Sequence, residues 1–222
     1  MPVRHAWNLT PKEAVALQRE LATEIRCEDD FGPIRTIAGV DVSMDRFATD
    51  GFAAIVVLSV PDLEIVEVSG VRMAIPMPYI PGLLSFREVP LVMRAWEGLK
   101  IQPDLLVVDG HGIAHPRRIG IASHVGLLLD RPAIGCGKTI LVGRYADLGE
   151  ARGSTAPLVD HGEVVGEAVR TKNRVNPVFV SCGHRISLPT AVRWILECGR
   201  GYRLPEPTRL AHLESNRLRR GG

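Results

Sequence analysis

Three acidic side chains stand where a folded chain could bring them together. Asp41 ends the apolar run IAGVDV, Asp109 directly follows the apolar run LLVV, and Glu88 begins a helix-like segment between them. If the two runs are parallel neighbours in one sheet, strand spacing of about 4.8 Å sets Asp41 beside Asp109. Three clustered carboxylates repel one another unless a divalent cation sits between them, and oxygen ligation suits Mg²⁺, with Mn²⁺ able to substitute. Each residue also has a plainer reading. Asp41 could be a strand end facing water, Glu88 the third residue of a capping box with Ser85, and Asp109-Gly110 a turn dipeptide. Their joint placement favours the cation.

Other reactive types are less decisive. Gly137-Lys138-Thr139 suggests a phosphate-binding loop, but the glycine needed five residues before Gly137 is Pro132, so that motif fails. His111, His115 and His124 crowd one stretch, yet Gly112 and Pro116 make the first pair a loop rather than a zinc-binding helix. In Pro78-Tyr79-Ile80-Pro81 an aromatic between prolines reads either as a stiff surface turn or as a rigid wedge that enters a base stack.

The elements that must position these residues follow from local pattern. Thr10-Pro11-Lys12-Glu13 starts a helix with a capping box, Ala14, Leu17, Leu21 and Ile25 recur at helical spacing, and Phe31-Gly32-Pro33 ends it. Strands are expected over 34–42, 52–60 and 63–71, joined by short turns that favour antiparallel neighbours. A helix over about 85–98 leads to Leu105-Leu106-Val107-Val108, which lacks alternation and so reads as a strand buried on both faces. A helix over 122–130, strands at 133–136, 164–171 and 177–181, and a helix over 190–198 follow. A buried strand reached through a helical crossover usually lies parallel to its partner, here the first strand. This is an α/β, ribonuclease H-like mixed sheet: three antiparallel strands, then parallel strands, flanked by helices. The expected organisation is one domain over 1–222, with an N-terminal helix at 11–30, a core at about 34–200 and a basic tail at 201–222.

Composition narrows the class. With 222 residues, 45% hydrophobic and 23% charged, the chain is an ordinary globular one that needs no staple. No apolar run approaches the roughly 20 residues of a membrane span, and the N-terminus shows no signal-peptide core. Four cysteines without CxxC spacing suggest neither zinc nor a disulfide framework, so a reduced, cytoplasmic monomer is expected. Residues 1–110 carry 10 Lys and Arg against 16 Asp and Glu, whereas 111–222 carry 17 against 9. Such asymmetry suits a polyanion held on one face, although solvated charge is its commoner cause.

Five blocks make the reading specific: AGVDVS (38–43), MPYIPGLLSFRE (77–88), PDLLVVDGHGIAHPRRIGIASHVGLLLD (103–130), IGCGK (134–138) and GYRLPEPTRLAH (201–212). In this order and spacing they resemble endonuclease V, the deoxyinosine 3′ endonuclease family. The resemblance implies a repair nuclease that recognises hypoxanthine in single- or double-stranded DNA. It would hydrolyse the second phosphodiester bond 3′ to the lesion, leaving 3′-hydroxyl and 5′-phosphate ends. It further implies Asp41 and Asp109 as direct metal ligands, Glu88 as the third carboxylate, and Lys138 as the active-site lysine. Family members vary at His212, some carrying Asp, which makes it a candidate fourth member of the metal shell. The same resemblance makes Pro78–Pro81 the DNA wedge and gives Gly82, Leu84, Gly110, His115, Arg117, Arg118 and Gly120 to the lesion pocket or DNA contact. Two alternatives stay open: an inosine-specific ribonuclease of the same family, and a module that binds lesions without cutting.

Overall fold

In the computed structural model of the protein, residues 5–45 and 48–221 are described; residue 222, the end of the expected tail, and residues 1–4 lie outside them. Helix α1 (Pro11–Ala22) begins with the anticipated capping box, in which the Thr10 amide donates to Glu13 at 2.7 Å. It ends eight residues before the expected limit of 30. Beyond it the backbone is captured instead: Arg185 donates its amide to the Arg26 carbonyl at 2.7 Å and accepts from the Asp30 amide at 3.3 Å.

Strands β1 (Thr36–Ser43), β2 (Asp50–Ser59) and β3 (Ile65–Ala74) form an antiparallel meander. Helix α2 (Leu84–Glu97) then crosses to β4 (Leu105–Val108), which pairs parallel to β1. Helix α3 (Ile121–Leu129) crosses to β5 (Ala133–Gly137), parallel to β4. The expected mixed order therefore holds, the strands expected at 164–171 and 177–181 are present, and the sheet gains one strand the sequence did not indicate, at 155–160. Strands β6 (Thr155–Asp160), β7 (Glu163–Val169) and β8 (Val178–His184) add a second antiparallel set, giving the order β3-β2-β1-β4-β5-β8-β7-β6. Helices α4 (Leu188–Glu197) and α5 (Glu206–Arg219) complete the chain.

Alternation along the strands sorts two cores. Ala38, Val40, Leu106 and Val108 pack against α2 and α3, while Ile37, Leu105 and Val107 face α4 and α5. By the same period of two, Asp41 and Asp109 belong to the α5 side of the sheet.

The basic tail is mostly this helix. Its arginines are largely engaged: Arg209 with Glu206, Arg217 with Glu214, and Arg219 with Asp45. Helix α5 lies very close to β1, since a Cβ at Gly39 would sit 1.8 Å from the Pro207 carbonyl oxygen. Only glycine permits that approach. No helix among the described residues is long and apolar enough to cross a membrane.

Candidate active site

The carboxylates meet at the C-terminal ends of β1 and β4. Val40 is in register with Val108, and the Asp109 amide donates to the Val40 carbonyl at 2.9 Å, so Asp41 and Asp109 leave adjacent strands side by side. From above, α5 lowers His212 and Ser215 onto them. His212 Nδ1 lies 3.5 Å from Asp41 Oδ2, and the buried Ser215 hydroxyl donates to the same oxygen. Asn216 keeps α5 in register by accepting from Ser43 Oγ at 3.1 Å. Lys138, just after β5, donates to Asp109 Oδ2, and its Nζ is 3.4 Å from His212 Nδ1. Arg203 holds this lysine's backbone, donating to the Lys138 carbonyl at 2.6 Å and to that of Pro177 at 2.8 Å. Glu88 reaches the same hollow from α2, and Asp41, Asp109, Lys138 and His212 line it too.

The capping alternative for Glu88 does not hold. Helix α2 begins at Leu84 behind Leu83, which makes no side-chain cap, so Glu88 is the fifth helical residue and not the third.

The electrostatics describe a site short of positive charge. Burial, the hydrogen bond that a protonated Asp109 donates to Asp41 and the Asp41 charge push Asp109 up to about 7, against the pull of Lys138. Burial and then the charges of Asp41 and Asp109 raise Glu88 to about 8, opposed by Arg87. Burial and then Lys138 lower His212, favouring the neutral imidazole that ligates metals. Asp41, Asp109 and His212 each offer a ligand atom, and these atoms lie within 4.8 Å of one another. Two carboxylates and an imidazole at this spacing, with a third carboxylate nearby, fit a divalent cation.

A pH dependence follows from these shifts. Glu88 and Asp109 bind protons more tightly folded than unfolded, so their stabilising effect is complete below about pH 4 and is lost as pH rises through 7 to 8. Burial holds His115 and His124 down to about 4 and 3, and these neutral histidines weaken the fold only below about pH 6.5. In EDTA the melting temperature should therefore fall between about pH 6.5 and 8.5, and Mg²⁺ should restore it most at the alkaline end. Parallel slopes with and without Mg²⁺ would disconnect the carboxylates from a bound cation.

Next to the carboxylates is a recess of about 120 Å³. Of the residues tied by resemblance to the lesion, it gathers Tyr79, Gly82, Leu84, Gly110, His115 and Gly120, with Asp109 on its wall. The four residues expected as a wedge are not equally exposed. Pro78, Tyr79 and Pro81 are exposed, but Ile80 packs against the cluster of Ala14, Met77, Leu83 and Phe86. The base of the loop is tied down because the Gly82 carbonyl accepts from Gln18 and Arg117. Arg117 is thus a brace of the recess. Arg118 is turned elsewhere, paired with Asp160 at 2.9 Å and Glu163 at 2.8 Å. At Gly120 a Cβ would meet the His111 carbonyl oxygen at 2.2 Å, so its small size is already demanded by the chain's own packing.

His124 is fully buried, bonded to the His5 ring at 2.8 Å and packed on Trp7 and Phe86. Sequence reasoning missed Ser85, whose buried Oγ lines the recess without a hydrogen-bond partner among the described residues. It also missed exposed Leu141 on the rim, and Ser215, Asn216 and Arg203 around the carboxylates. Ser85 and Arg203 lay within quoted blocks, Leu141, Ser215 and Asn216 outside them, and none carried a periodic signal.

Known proteins are similar to this chain over nearly its whole length. Residues 19–213 match the family model described as Endonuclease V. The endonuclease V of Gloeobacter violaceus is 55% identical, over 97% of this chain and 89% of its own length. That of Dehalococcoides mccartyi (strain CBDB1) is 50% identical over 96% of both chains. The structure of the Streptomyces avermitilis endonuclease V superposes with a TM-score of 0.92 at 41% identity, covering 97% of this chain and 96% of that one. The Ciona intestinalis protein, in complex with a 23mer DNA containing an inosine followed by a ribo-adenosine, has a TM-score of 0.85 at 27% identity and covers 96% of this chain and 99% of its own. With the match extending from α1 through the carboxylate strands to α5, the chain belongs to the endonuclease V family.

Proposed function

We propose that the protein is a repair nuclease that binds deoxyinosine in DNA and hydrolyses the second phosphodiester bond on its 3′ side, α1 through α5 acting as one domain. The observation that carries this reading is a single juxtaposition. A cation-binding group of Asp41, Asp109 and His212 shares Asp109 with a base-sized recess under an exposed tyrosine.

Asp41, Asp109 and His212 would hold Mg²⁺ or Mn²⁺, with Glu88 beside them. Bound there, the cation would activate the attacking water and offset charge on the phosphate. Ser215 fixes the rotamer of Asp41 through its hydroxyl. Lys138, its ammonium set between Asp109 and His212, supplies fixed positive charge for the phosphate that gains charge during cleavage. Tyr79 fills the gap left by the extruded base, which enters the recess; extrusion costs a few kcal/mol, less at a mispaired base.

A second reading keeps the chemistry and changes the strand to inosine-containing RNA. It is favoured by the Ciona intestinalis complex, whose bound strand carries a ribonucleotide after the inosine. A lesion-binding module that does not cut is disfavoured by the presence of Asp41, Glu88 and Asp109 together.

The test is an end-labelled strand with one inosine, as DNA and as RNA, with Mg²⁺ or with EDTA. The reading expects one metal-dependent cut at the second bond 3′ to inosine in DNA. Cleavage of RNA alone would install the second reading, and no product with saturating Mg²⁺ or Mn²⁺ would install the binding module.

A further inference from the structure

Away from the carboxylates, the fold sets two thiols side by side. Cys27 is exposed on the segment after α1, while Cys182 is buried within β8, 155 positions later. Cys182 Sγ donates to the Arg26 carbonyl oxygen at 3.5 Å, which sets the buried thiol against the residue before Cys27, and the two sulfurs are near enough to shift each other's acidity. Their proximity is enforced by backbone. The Arg185 amide donates to the Arg26 carbonyl at 2.7 Å, and the Arg26 amide donates to His184 Nδ1 at 3.4 Å, pinning the residue before Cys27 onto the end of β8. The thiols are also unequal. Contact with Cys182 lowers Cys27, whereas that contact and burial raise Cys182. The exposed sulfur is therefore the one that gives up its proton more readily, and the thiolate is the reactive form.

We propose that Cys27 and Cys182 form a reversible thiol–disulfide site, in which Cys27 meets the oxidant and Cys182 resolves it. For a hydroperoxide such as hydrogen peroxide the chemistry balances. The Cys27 thiolate attacks a peroxide oxygen, the O–O bond breaks, and a sulfenic acid forms with release of one water. The Cys182 sulfur then attacks Cys27, an S–S bond forms, and a second water carries away the sulfenic oxygen and the last thiol proton. Two thiols are oxidised and one peroxide is reduced; an external dithiol reverses the bond by exchange.

The cross-link would tie the segment after α1 covalently to β8. β8 itself holds the loop that follows Asp109: the Ile113 amide donates to the Cys182 carbonyl and the Gly112 amide to Ser181 Oγ, each at 2.8 Å. Neither sulfur touches the carboxylates or the recess, so oxidation should preserve cleavage. A link closing so long a loop should raise the melting temperature by about 5–10 °C.

The full chain is treated with hydrogen peroxide, alkylated under denaturing conditions and mapped without reduction. Wild-type protein should lose two of its four titratable thiols, stay a single chain and yield a peptide joining Cys27 to Cys182 that dithiothreitol releases. Cys27→Ser should give no joined peptide and no rise in melting temperature. Cys182→Ser should leave a Cys27 sulfenic acid that dimedone traps; if that variant does not fold, wild type and Cys27→Ser decide between them. Overoxidised or intermolecularly joined Cys27, with Cys182 still alkylatable, would overturn the proposal. So would an oxidised wild type that melts where the reduced form does.

Discussion

Asp41→Ala and Asp109→Ala should each lower cleavage of an inosine-containing strand about a thousandfold or more while leaving much of the binding intact. Each substitution removes an oxygen from the group that would hold the cation, and the loss falls on the transition state, where charge must be offset. A thousandfold corresponds to about 4 kcal/mol, a modest share of what a bound cation and a positioned water supply. Asp41→Ala leaves the Ser215 hydroxyl only the His212 carbonyl as acceptor, and Asp109→Ala releases the Lys138 ammonium. Binding should persist because the Tyr79 loop is braced from α1 and Arg117, not from the carboxylates. The metal-free variants should melt no lower than wild type, since each loses one of the two like charges that raise Glu88. Single-turnover cleavage in saturating Mg²⁺, affinity in Ca²⁺ and melting in EDTA give the three readings. A variant that turns over within tenfold of wild type would take its aspartate out of the catalytic group.

Tyr79→Ala should leave the metal site alone and weaken recognition. The ring is about half exposed, between two prolines, on a loop whose base is anchored by Met77 and Gly82. Base–aromatic stacking is worth about 1–3 kcal/mol, so affinity for inosine DNA should fall between tenfold and somewhat over a hundredfold. Discrimination from undamaged DNA should shrink with it, because only an extruded base leaves the gap that the ring fills. The cut position should not move. Lesion and non-lesion affinities compared in Ca²⁺, which suppresses cleavage, decide the matter. Wild-type discrimination in the variant would return Tyr79 to an ordinary surface tyrosine.

The parts of the fold legible from sequence were those whose burial shows as apolar periodicity. β4 was read to the residue because all four of its side chains are apolar and buried. The β1–β4 pairing followed from the helical crossover, and with it the adjacency of Asp41 and Asp109. Helix α5 was read as a tail because its buried positions are Pro207, Thr208, Ala211 and Ser215, small or polar residues that trace no hydrophobic stripe. They are small because the helix lies almost on the sheet. β6 was missed because Pro157 argues against a strand; it is tolerated on this edge, where its position is exposed. The N-terminal helix was drawn too long because Ile25 continues the periodicity, and nothing local foretells that Arg185 will take the backbone that follows. At the site, charged ligands at strand ends were visible, but the hydroxyls of Ser85 and Ser215 were not. A serine declares its function only through its neighbours.

The closeness of α5 to β1 has a consequence for cation affinity itself. Asp41 and Asp109 are fixed in the sheet, but His212 arrives on a helix that meets β1 backbone to backbone at Gly39. A cation held by all three therefore sees full coordination only in the fraction of molecules with the helix seated. The apparent dissociation constant is the intrinsic one divided by that fraction. Anything that widens the seam, even one methyl group at position 39, would act as a competitive tax on the metal without touching a ligand. Conversely, a bound cation would draw the helix down. The population of seated α5 and the occupancy of the site are two readings of one equilibrium.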